Sequence, residues 1–452
     1  MILAIVRQTM KSRLARDLLA TAQNLSSQYF IGIGKSDVFD TDPIDVAVSA
    51  IDTAHEEREF RNNLQSIKRV EASSMVIPRV NWNSGSLYSA WSDKETVHPF
   101  YVMNEQKEVY ICLSQGGSSE TPNLSTVEPN YGTIHPDQYL TPFTTADGYE
   151  WKYMFSLSPE RVVSFLSSNY IPVLVSDKDP ADAGPFEDLL IEVQNTAIPG
   201  QLVSVEVVDG GTGYTDGTLP LVVNGDGTSA AGTATVLGGK IVKVNMTNRG
   251  QDYSNASVTV EGVGYDCVLR AILSDHNGLG KDQTNDFKTS SVMFTIKPNG
   301  VEDDTFIVEN TFRQMGLLKD IDNTDGTPFL GTKLKVLPYV RLTSASGFTA
   351  GNQIKGSNSD ALGRAKLCPL GHIDESVNNN VYFHQNESTG FGDFEVGETV
   401  TEIGGDATGV VSLVYADNGV DRFSGEVLYI ENRHRIRRDA EQQEDIKIVI
   451  TV

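Results

Sequence analysis

The residues most suggestive of chemistry form the segment Gly32-Ile33-Gly34-Lys35-Ser36. Glycines followed by Lys and Ser occur in loops whose backbone N–H groups cradle phosphates. A Walker loop also needs a glycine five residues before the second glycine, and that position holds Tyr29. The segment follows no parallel strand–helix unit either. We therefore expect a strand end and a turn here rather than a nucleotide site.

Two further patterns suggest metal binding. Asp320, Asp322 and Asp325, followed by Gly326, resemble half of a calcium loop, but the acids are out of phase and no glutamate closes the loop. An Asx-rich turn explains them better. None of the histidines has the H-x-H, H-x-x-x-H or H-E-x-x-H spacing of metal ligands; they are His55, His98, His135, His276, His372, His384 and His434. The sequence thus predicts no cofactor and no metal ligands, and leaves open a metal site shared between chains.

Asp147 and Glu150 are candidates for a glycosidase pair, because two carboxylates can supply the acid and the nucleophile of that reaction. With 60 acidic residues in the chain such proximities are common, so this pair is weak evidence. No G-x-S-x-G elbow is present, and no cysteine has the sequence context of a catalytic nucleophile. The charged run from His55 to Glu59 is typical of a solvated helix face. We therefore expect no catalytic residues and no enzyme activity.

The charge balance argues against several classes of partner. The chain has 452 residues with 60 acidic and 36 basic side chains, a net charge of −24. Such a surface repels nucleic acid and anionic membranes. The basic cluster around Arg435 is followed by acids, which indicates an intramolecular or interface charge network. No apolar run approaches the roughly 20 residues of a membrane helix, and the N-terminal MILAIV is too short for a signal peptide.

The length of the chain indicates the number of domains, and its cysteines indicate the compartment in which it folds. A chain of this length is expected to form roughly three domains. Cys112, Cys267 and Cys368 are odd in number, far apart and form no C-x-x-C pair. This pattern predicts reduced cysteines that bind no metal, and assembly in a cytosol.

The first 70 residues have helical periodicity. Residues 8–25 predict an amphipathic helix with Met10, Leu14 and Leu18 on its apolar face. The strand Tyr29–Ile33 follows. A second helix is expected after Thr41-Asp42-Pro43 and to run, with breaks, towards Val70. Its later apolar stripe contains Phe60, Leu64 and Ile67.

From Ile77 onwards the pattern becomes β and aromatic. Val109–Leu113 predicts a strand, and Asp147-Gly148 predicts a turn before the strand Tyr149–Leu157. One face of that strand is aromatic and the other mixed; the aromatic face contains Tyr149, Trp151, Tyr153 and Phe155. Such a strip can bind sugars or stacked bases, but without a basic surround we expect it to pack in a core.

Two internal duplications follow. In the first, a strand and a tyrosine-bearing turn at Tyr214 recur with a shift of 39 residues at Tyr253. In the second, Phe348-x-x-Gly351-x-x-Ile354 recurs with a shift of 46 residues as Phe394-x-x-Gly397-x-x-Val400. Each duplication predicts a small β-module built from two related halves, with glycines supplying tight turns.

These patterns predict a mainly β (α+β) fold: a multidomain, β-sandwich-like body with an N-terminal helical segment and two inserted modules. Ser291–Ile296 and Thr305–Val308 predict body strands between the modules. We expect the first part of the body at 1–189, the Gly/Tyr-repeat module at 190–275 and the second part of the body at 276–344. The Phe/Gly-repeat module is expected at 345–417 and the C-terminal strands at 418–452.

The C-terminus is the most informative segment. Gly425–Ile430 predicts an alternating strand, Glu431-Asn432-Arg433 a polar break, and Asp445–Val452 a strand whose backbone is paired within a sheet. The intervening Arg435, Arg437 and Arg438 precede an acidic run.

This C-terminus resembles that of the baseplate wedge subunit of T-even-like contractile-tailed bacteriophages, the gene-product-eight family. The resemblance continues, in order, through the body but not through the modules. Its most specific segments are the Asp147–Phe155 strand and the terminal Glu-Asn-Arg segment; the weaker ones are Tyr29–Ser36, Ile77-Pro78-Arg79 with Trp82, Val109–Leu113 and Phe312-Arg313-Gln314.

The resemblance implies a virion structural protein that forms homodimers and contacts other baseplate wedge proteins. It implies a place in the tail baseplate, with assembly in the host cytoplasm, and no catalysis. Two alternatives stay open. A carbohydrate-binding tail protein would line a groove with exposed tyrosines such as Tyr214 and Tyr253, and a tail-associated glycan hydrolase would depend on one essential carboxylate.

Overall fold

The structure is a computed structural model that describes residues 7–24, 26–35, 52–130, 140–174, 176, 184–299, 311–343, 347–349, 351–366, 379–415, 419–438 and 442–452. The chain divides into two compact units. Unit 1 contains residues 1–16, 74–291 and 451–452, and unit 2 contains residues 17–73 and 292–450. The Gly/Tyr repeats lie in unit 1 and the Phe/Gly repeats in unit 2.

Strands dominate the described residues, so the expected mainly β, multidomain fold is confirmed. The helices are α1 (Gln8–Gln23), α2 (Thr53–Asn63), α3 (Pro159–Phe165), α4 (Pro185–Asn195) and α5 (Gln283–Asp286). The strands up to the Gly/Tyr repeats are β1 (Tyr29–Gly34), β2 (Leu64–Arg69), β3 (Ala72–Pro78), β4 (Tyr101–Met103), β5 (Glu108–Ser114), β6 (Phe143–Thr144), β7 (Glu150–Ser156) and β8 (Tyr170–Pro172).

The Gly/Tyr repeats form β9 (Leu202–Thr212), β10 (Gly217–Gly225), β11 (Thr228–Leu237), β12 (Lys240–Gln251), β13 (Ala256–Val260) and β14 (Tyr265–Leu273). Three further strands are β15 (Ser291–Ile296), β16 (Thr311–Lys319) and β17 (Lys333–Lys335). The Phe/Gly repeats form β18 (Tyr339–Leu342), β19 (Gln353–Gly356), β20 (Leu362–Lys366), β21 (Asn380–His384), β22 (Thr399–Ile403) and β23 (Thr408–Tyr415). The last strands are β24 (Glu426–Arg437) and β25 (Ile446–Thr451).

The centre of unit 1 is a four-stranded sheet in the order β4-β5-β7-β6. Its antiparallel ladders place the expected strands Val109–Leu113 and Tyr149–Leu157 side by side, with Tyr110 opposite Tyr153. A nearby pair joins β3 to β8, with Ile77 opposite Ile171. The sheet therefore carries the aromatic strand at its middle, where both faces can be covered.

The Gly/Tyr module (residues 202–273) consists of the sheet β12-β11-β10-β13 and the pair β14-β9. The two repeats have matching local geometry. Asp209 Oδ1 accepts the N–H of Gly211 at 2.9 Å, and Asn248 Oδ1, 39 residues further on, accepts the N–H of Gly250 at 2.9 Å. Both glycines have positive φ, at 63° and 61°. The duplication seen in the sequence is thus also a duplication of turns.

Unit 2 contains a five-stranded sheet in the order β17-β2-β1-β16-β24. Its core includes Phe60, Leu64 and Ile67, as the sequence indicated. The expected helix towards Val70 is wrong in its second half, because α2 ends at Asn63 and Leu64 begins a strand. Strand β2 lies between β17 and β1, so its backbone groups pair on both edges. The expected helix start at Thr41-Asp42-Pro43 lies outside the described residues.

The Phe/Gly repeats close into a barrel (residues 339–415) in the order β18-β21-β20-β19-β22-β23. Strands β19 and β22 come from equivalent positions of the two repeats and pair with each other. Lys355 lies opposite Thr401, which is its counterpart 46 residues later. Ile354 lies opposite Glu402, and the equivalent residues of the other repeat, Val400 and Gly356, also lie opposite each other. A local two-fold axis therefore passes between β19 and β22.

The C-terminal segment differs from its prediction at one point. The polar break expected at Glu431-Asn432-Arg433 is wrong, because β24 continues to Arg437. The strand bulges there instead, since Asn432 lies opposite Gln314 and Ile436 opposite Phe312. The expected terminal strand is confirmed as β25, beside β15. The body strand expected at Ser291–Ile296 is β15, and the one expected at Thr305–Val308 lies outside the described residues.

Helix α1 is confirmed, but its predicted buried face is wrong. Met10 and Leu14 are exposed, whereas Ser12 and Ala15 are buried. Ser12 Oγ donates to the Thr289 carbonyl at 2.6 Å. Polar anchoring of the helix, which hydrophobic periodicity does not detect, therefore sets its orientation. None of the described helices is long and apolar enough to cross a membrane.

Candidate functional site

The turn before β7 positions the strand that the sequence singled out. Asp147 Oδ2 accepts the backbone N–H groups of Thr126 and Val127 at 2.7 and 2.9 Å. Its Oδ1 accepts the Thr145 hydroxyl at 2.5 Å. Burial alone would raise the pKa of Asp147, but these hydrogen bonds outweigh it and lower the pKa. Such a carboxylate stays ionised and fixes a loop, and it is poorly suited to donate a proton.

The aromatic face of β7 forms a packed core. Tyr149 and Trp151 stack with ring centroids 5.6 Å apart, and Tyr88 meets the Trp151 ring edge-on at 5.7 Å. Tyr110 and Tyr153 make a further edge contact at 5.7 Å. All five rings are almost completely buried. The expectation that this strip packs in a core is confirmed, and its ring faces are not available to a sugar or a base.

The other face of β7 holds two buried ionisable side chains that the sequence analysis missed. Lys152 is 8% exposed and Asp286, on α5, is 2% exposed. Gly280 donates its N–H to Asp286 Oδ2 at 2.7 Å, and Trp91 Nε1 donates to the Asp286 carbonyl at 2.8 Å. Gly280 has φ of +103° and packs against the Lys152 side chain, so only glycine fits there.

Burial shifts both members of this pair towards their neutral forms. It raises the pKa of Asp286 to about 8, against the lowering effects of the Gly280 hydrogen bond and the Lys152 charge. It lowers the pKa of Lys152 to about 8, although the Asp286 charge acts in the opposite direction. Perturbed lysines of this kind occur in catalytic clefts, but this one is enclosed by the sheet and α4. Its position favours a structural role.

Glu150, the second member of the suggested glycosidase pair, forms an ion pair with an arginine. Its Oε2 lies 2.8 Å from Arg249 Nη2, on β12 of the Gly/Tyr module. Arg249 Nε donates in addition to the Val203 carbonyl at 2.9 Å. Asp147 therefore binds the backbone of a turn, whereas Glu150 binds an arginine of the module. The two carboxylates have separate structural contacts and do not form a glycosidase pair.

A second group of charges joins the Gly/Tyr module to the body of unit 1. Arg270 contacts Asp93 at 2.6 Å and Glu206 at 3.3 Å, and Lys94 contacts Glu206 at 2.6 Å. The Ser119 N–H donates to the Val242 carbonyl at 2.8 Å. The module therefore has several fixed attachments within unit 1.

Tyr214 and Tyr253 pack inside the Gly/Tyr module, each 7% exposed. Tyr214 covers Gly264 of the second repeat, and Tyr253 covers Gly225 and Gly227 of the first. The two repeats are thus interlocked by reciprocal tyrosine–glycine contacts. The exposed groove that the carbohydrate-binding alternative requires of these tyrosines is not formed, because their rings fill the space that the glycines leave free.

The segment that suggested phosphate binding lies in the core of unit 2. Strand β1 is buried along its whole length. A Cβ at Gly32 would contact Leu64 and Leu318, and one at Gly34 would meet the Asn63 carbonyl. These glycines therefore allow close packing of neighbouring strands. Ser36 lies outside the described residues.

The acidic stretch that resembled a calcium loop forms turns. Asp320 Oδ1 accepts the Gln28 N–H at 2.7 Å, and Asp325 Oδ1 accepts the Thr327 N–H at 2.9 Å. Within the described ranges, no group of three or more His, Cys, Asp or Glu side chains could hold a metal ion. His135 and His372 lie outside those ranges.

The described cysteines are unpaired, and the arginine-rich C-terminal segment contains a buried ion pair. Cys112 and Cys267 are free thiols, and Cys368 lies outside the described residues. Burial raises the pKa of Cys112 well above its usual range, so its thiol is unreactive. Arg438 forms a buried ion pair with Glu444, as expected for an intramolecular charge network.

In comparisons with known proteins, no family model and no curated protein matches the chain. The geometry describes a β-rich structure in which the distinctive residues of β7 and of the Gly/Tyr module pack in cores or fix turns.

Proposed function

We propose that this chain is a structural subunit of the baseplate wedge of a contractile phage tail. In this proposal it forms a homodimer, contacts other wedge proteins and resides in the virion tail after assembly in the host cytoplasm. Its action is mechanical: it maintains wedge geometry and moves, as a rigid body, in the rearrangement that triggers contraction. It binds no cofactor and catalyses no reaction.

The observation that carries the proposal is the position of the segments that resemble the wedge family. Tyr29–Ser36 begins on β1, Val109–Leu113 lies on β5 and Phe312-Arg313-Gln314 lies on β16. The two most specific segments fall on β7 and on β24. A resemblance confined to body strands, and absent from both modules, is typical of a shared scaffold with added domains.

The ends of the Gly/Tyr module support its description as an insertion. Leu202, where the module begins, lies directly opposite Leu273, where it ends. The preceding and following residues are also paired, since Ser274 N–H donates to the Gln201 carbonyl at 2.8 Å. Adjacent ends allow a domain to be added to a scaffold without disturbing it.

The contacts of the candidate chemical residues favour the structural proposal over its alternatives. Tyr214 and Tyr253, on which the carbohydrate-binding alternative relied, are buried against glycines. Asp147 and Glu150, considered for the hydrolase alternative, hold a loop and an arginine. Neither alternative therefore retains the residues that suggested it.

The proposal is tested by the protein composition of purified virus particles. Peptides of this chain should be found in intact particles and in isolated tails, at a fixed ratio to the other baseplate proteins. Particles from a host in which the gene is disrupted should lack functional tails, and supplying the chain should restore them. Absence of the chain from purified particles would overturn the proposal.

An excision variant separates the body from the module. Residues 202–273 are replaced by a short Asn-Gly turn joining Gln201 to Ser274. If the body carries assembly, this variant still enters particles. A matched variant with Asp147→Ala retains the module but weakens the turn before β7, and it should enter particles less efficiently.

A further inference from the structure

The N-terminal half of helix α1 is held in place by polar side chains. The three inward ones follow each other at four-residue spacing and so share one helix face: Gln8, Ser12 and Arg16. Gln8 Nε2 donates to the Lys288 carbonyl at 2.6 Å, and Ser12 Oγ donates to the Thr289 carbonyl at 2.6 Å. Arg16 Nε donates to Thr284 Oγ1 at 2.7 Å. These hydrogen bonds fix which face of the helix points inward.

The opposite face of the same helix is apolar and exposed. Met10 and Leu14 lie one turn apart, and they are 55% and 45% exposed. A surface helix normally turns its apolar stripe towards the core. Here the polar anchors reverse that orientation, so the apolar stripe faces outward. Adjacent large apolar side chains on a surface indicate an interaction site.

Exposed cations surround this apolar stripe. Successive residues of a helix are rotated by about 100°, which places Lys11 and Arg13 on opposite sides of the Met10–Leu14 stripe. Arg7, just before the helix, is also exposed. Among the described residues, no acid forms an ion pair with any of the three cations. The chain has 60 acidic and 36 basic side chains, so three unpaired neighbouring cations are notable.

The helix dipole adds to this local positive charge. The first turn of α1 contains no acid. The N-terminus of a helix has a positive partial charge, so carboxylates are favourable there and cations are unfavourable. Carboxylates of a bound partner would therefore compensate both the cations and the dipole. The surface is complementary to a partner that is apolar along its centre and anionic along its borders.

The charges also distinguish among the possible partners. A second α1 would bring like charges together. An anionic membrane would be repelled by the net charge of −24 on the chain. An amphipathic helix with acidic flanks fits, because apolar side chains at its i, i+3, i+4 and i+7 positions can pack around two apolar residues one turn apart.

We propose that the outward face of α1, formed by Met10 and Leu14 and bordered by Arg7, Lys11 and Arg13, binds an acidic amphipathic helix of a different protein. The inference deepens the proposed function and rests on it, since that proposal includes contacts with other subunits but gives no surface or chemistry for them.

A pair of synthetic peptides tests the charge preference of this surface in the full-length chain. Both peptides are helices of about 21 residues with leucines on one face, and they differ only in having Glu or Lys beside the leucines. Fluorescence anisotropy should show at least tenfold tighter binding of the acidic peptide. Its affinity should fall as the salt concentration rises.

Three variants locate the binding surface. Met10→Gln combined with Leu14→Gln should weaken binding of the acidic peptide at least tenfold, because the apolar contact is lost. Lys11→Glu combined with Arg13→Glu should reverse the preference towards the basic peptide. Val163→Gln is the control, since Val163 is 63% exposed on α3 and should not affect binding. All three leave the polar anchors of α1 intact, so their far-ultraviolet circular dichroism should match the wild type.

Other results would overturn the inference. These are equal affinity for the two peptides, binding of neither peptide, or a charge-reversed variant that keeps the wild-type preference. Binding to phosphatidylserine vesicles in place of the acidic peptide would assign the surface to a membrane. Dissociation of a dimer by the Met10→Gln and Leu14→Gln changes, seen in sedimentation, would assign it to a second copy.

The peptide experiment does not depend on virus particles, so it separates the two proposals. Absence of the chain from particles together with charge-selective peptide binding would overturn the proposed function and leave the α1 surface intact. Presence in particles without peptide binding would overturn the α1 surface alone.

Discussion

The guanidinium of Arg249 lies 2.8 Å from the carboxylate of Glu150, and both side chains are largely shielded from water. Arg249 belongs to the Gly/Tyr module, whereas Glu150 begins the strand whose other residues form the aromatic core. The ion pair therefore connects the inserted module to the strand that carries the aromatic core of unit 1.

Arg249→Met should lower the free energy of unfolding by about 2–3 kcal/mol, because it leaves a partly buried carboxylate without its cation. Lys355→Met is the control, since Lys355 and its partner Asp360 are both exposed and should contribute less than about 1 kcal/mol. Urea denaturation measures both variants. Equal midpoints would show that the Arg249–Glu150 contact contributes nothing beyond a surface pair.

The tyrosine–glycine contacts of the Gly/Tyr module predict a steric effect. Gly264→Ala places a methyl group against the Tyr214 ring, and Gly227→Ala does the same to Tyr253. Each should cost about 1–3 kcal/mol, because the rings have no free space into which to move.

Gly184→Ala is the matched control for the glycine variants, because a Cβ there has no atom within 4 Å. Its cost should stay below about 1 kcal/mol, as expected at the start of a helix. Thermal melting followed by near-ultraviolet circular dichroism reports on the tyrosines directly. Unchanged tyrosine signals in Gly264→Ala would contradict the proposed contact.

The buried carboxyl group of Asp286 predicts a dependence of stability on pH. Because the pKa of Asp286 is raised to about 8, the folded chain retains a proton that the unfolded chain releases near pH 4. The stabilising effect of that proton is fully present below pH 4 and is lost as the pH rises towards 8. The loss approaches about 1.4 kcal/mol per pH unit at its steepest.

Asp286→Asn tests this directly, since asparagine resembles the protonated acid and does not titrate. Its free energy of unfolding should fall less than that of the wild type between pH 5 and pH 8. The lowered pKa of Lys152 acts only above about pH 8, where it makes the folded chain more stable as the pH rises further. Parallel pH profiles for the two proteins would contradict the burial of the carboxyl group.

Truncation of one buried side chain in the terminal strand β25 should lower the free energy of unfolding substantially. Ile448→Ala should cost about 2–4 kcal/mol, because its side chain is 1% exposed. Val452→Ala, at the exposed end, should cost less than about 0.5 kcal/mol. Deletion of Asp445–Val452 should cost several kcal/mol through lost burial and lost ladder hydrogen bonds. A truncated chain that melts like the full one would contradict the placement of β25.

The sequence predicted the strands with strong alternation and both internal duplications, because these depend on local patterns. Tyr149, Trp151 and Tyr153 recur at every second position, and that spacing alone places them on one face. The glycines at fixed repeat positions likewise marked turns that need positive φ.

The failures arose where distant residues decide the outcome. Leu64 and Ile67 continue the helical spacing from Phe60, yet pairing with β1 and β17 makes them a strand. Spacing also placed Lys152 on a face away from the aromatic rings, but nothing near it in the sequence indicated that the charge of Asp286 would act on it. The polar residues of β24 suggested a break because a bulge has no distinct local composition.

The closed barrel has a consequence for synthesis of the chain. Strand β18 is made first, but its partners β21 and β23 come from the second repeat, so the ring cannot close until the last strand has left the ribosome. Until then both edges of the β19–β20 hairpin lack their partner strands, so the hairpin can pair with the same hairpin on a neighbouring nascent polypeptide. Slow translation through the second repeat should therefore lower the yield of correctly folded protein.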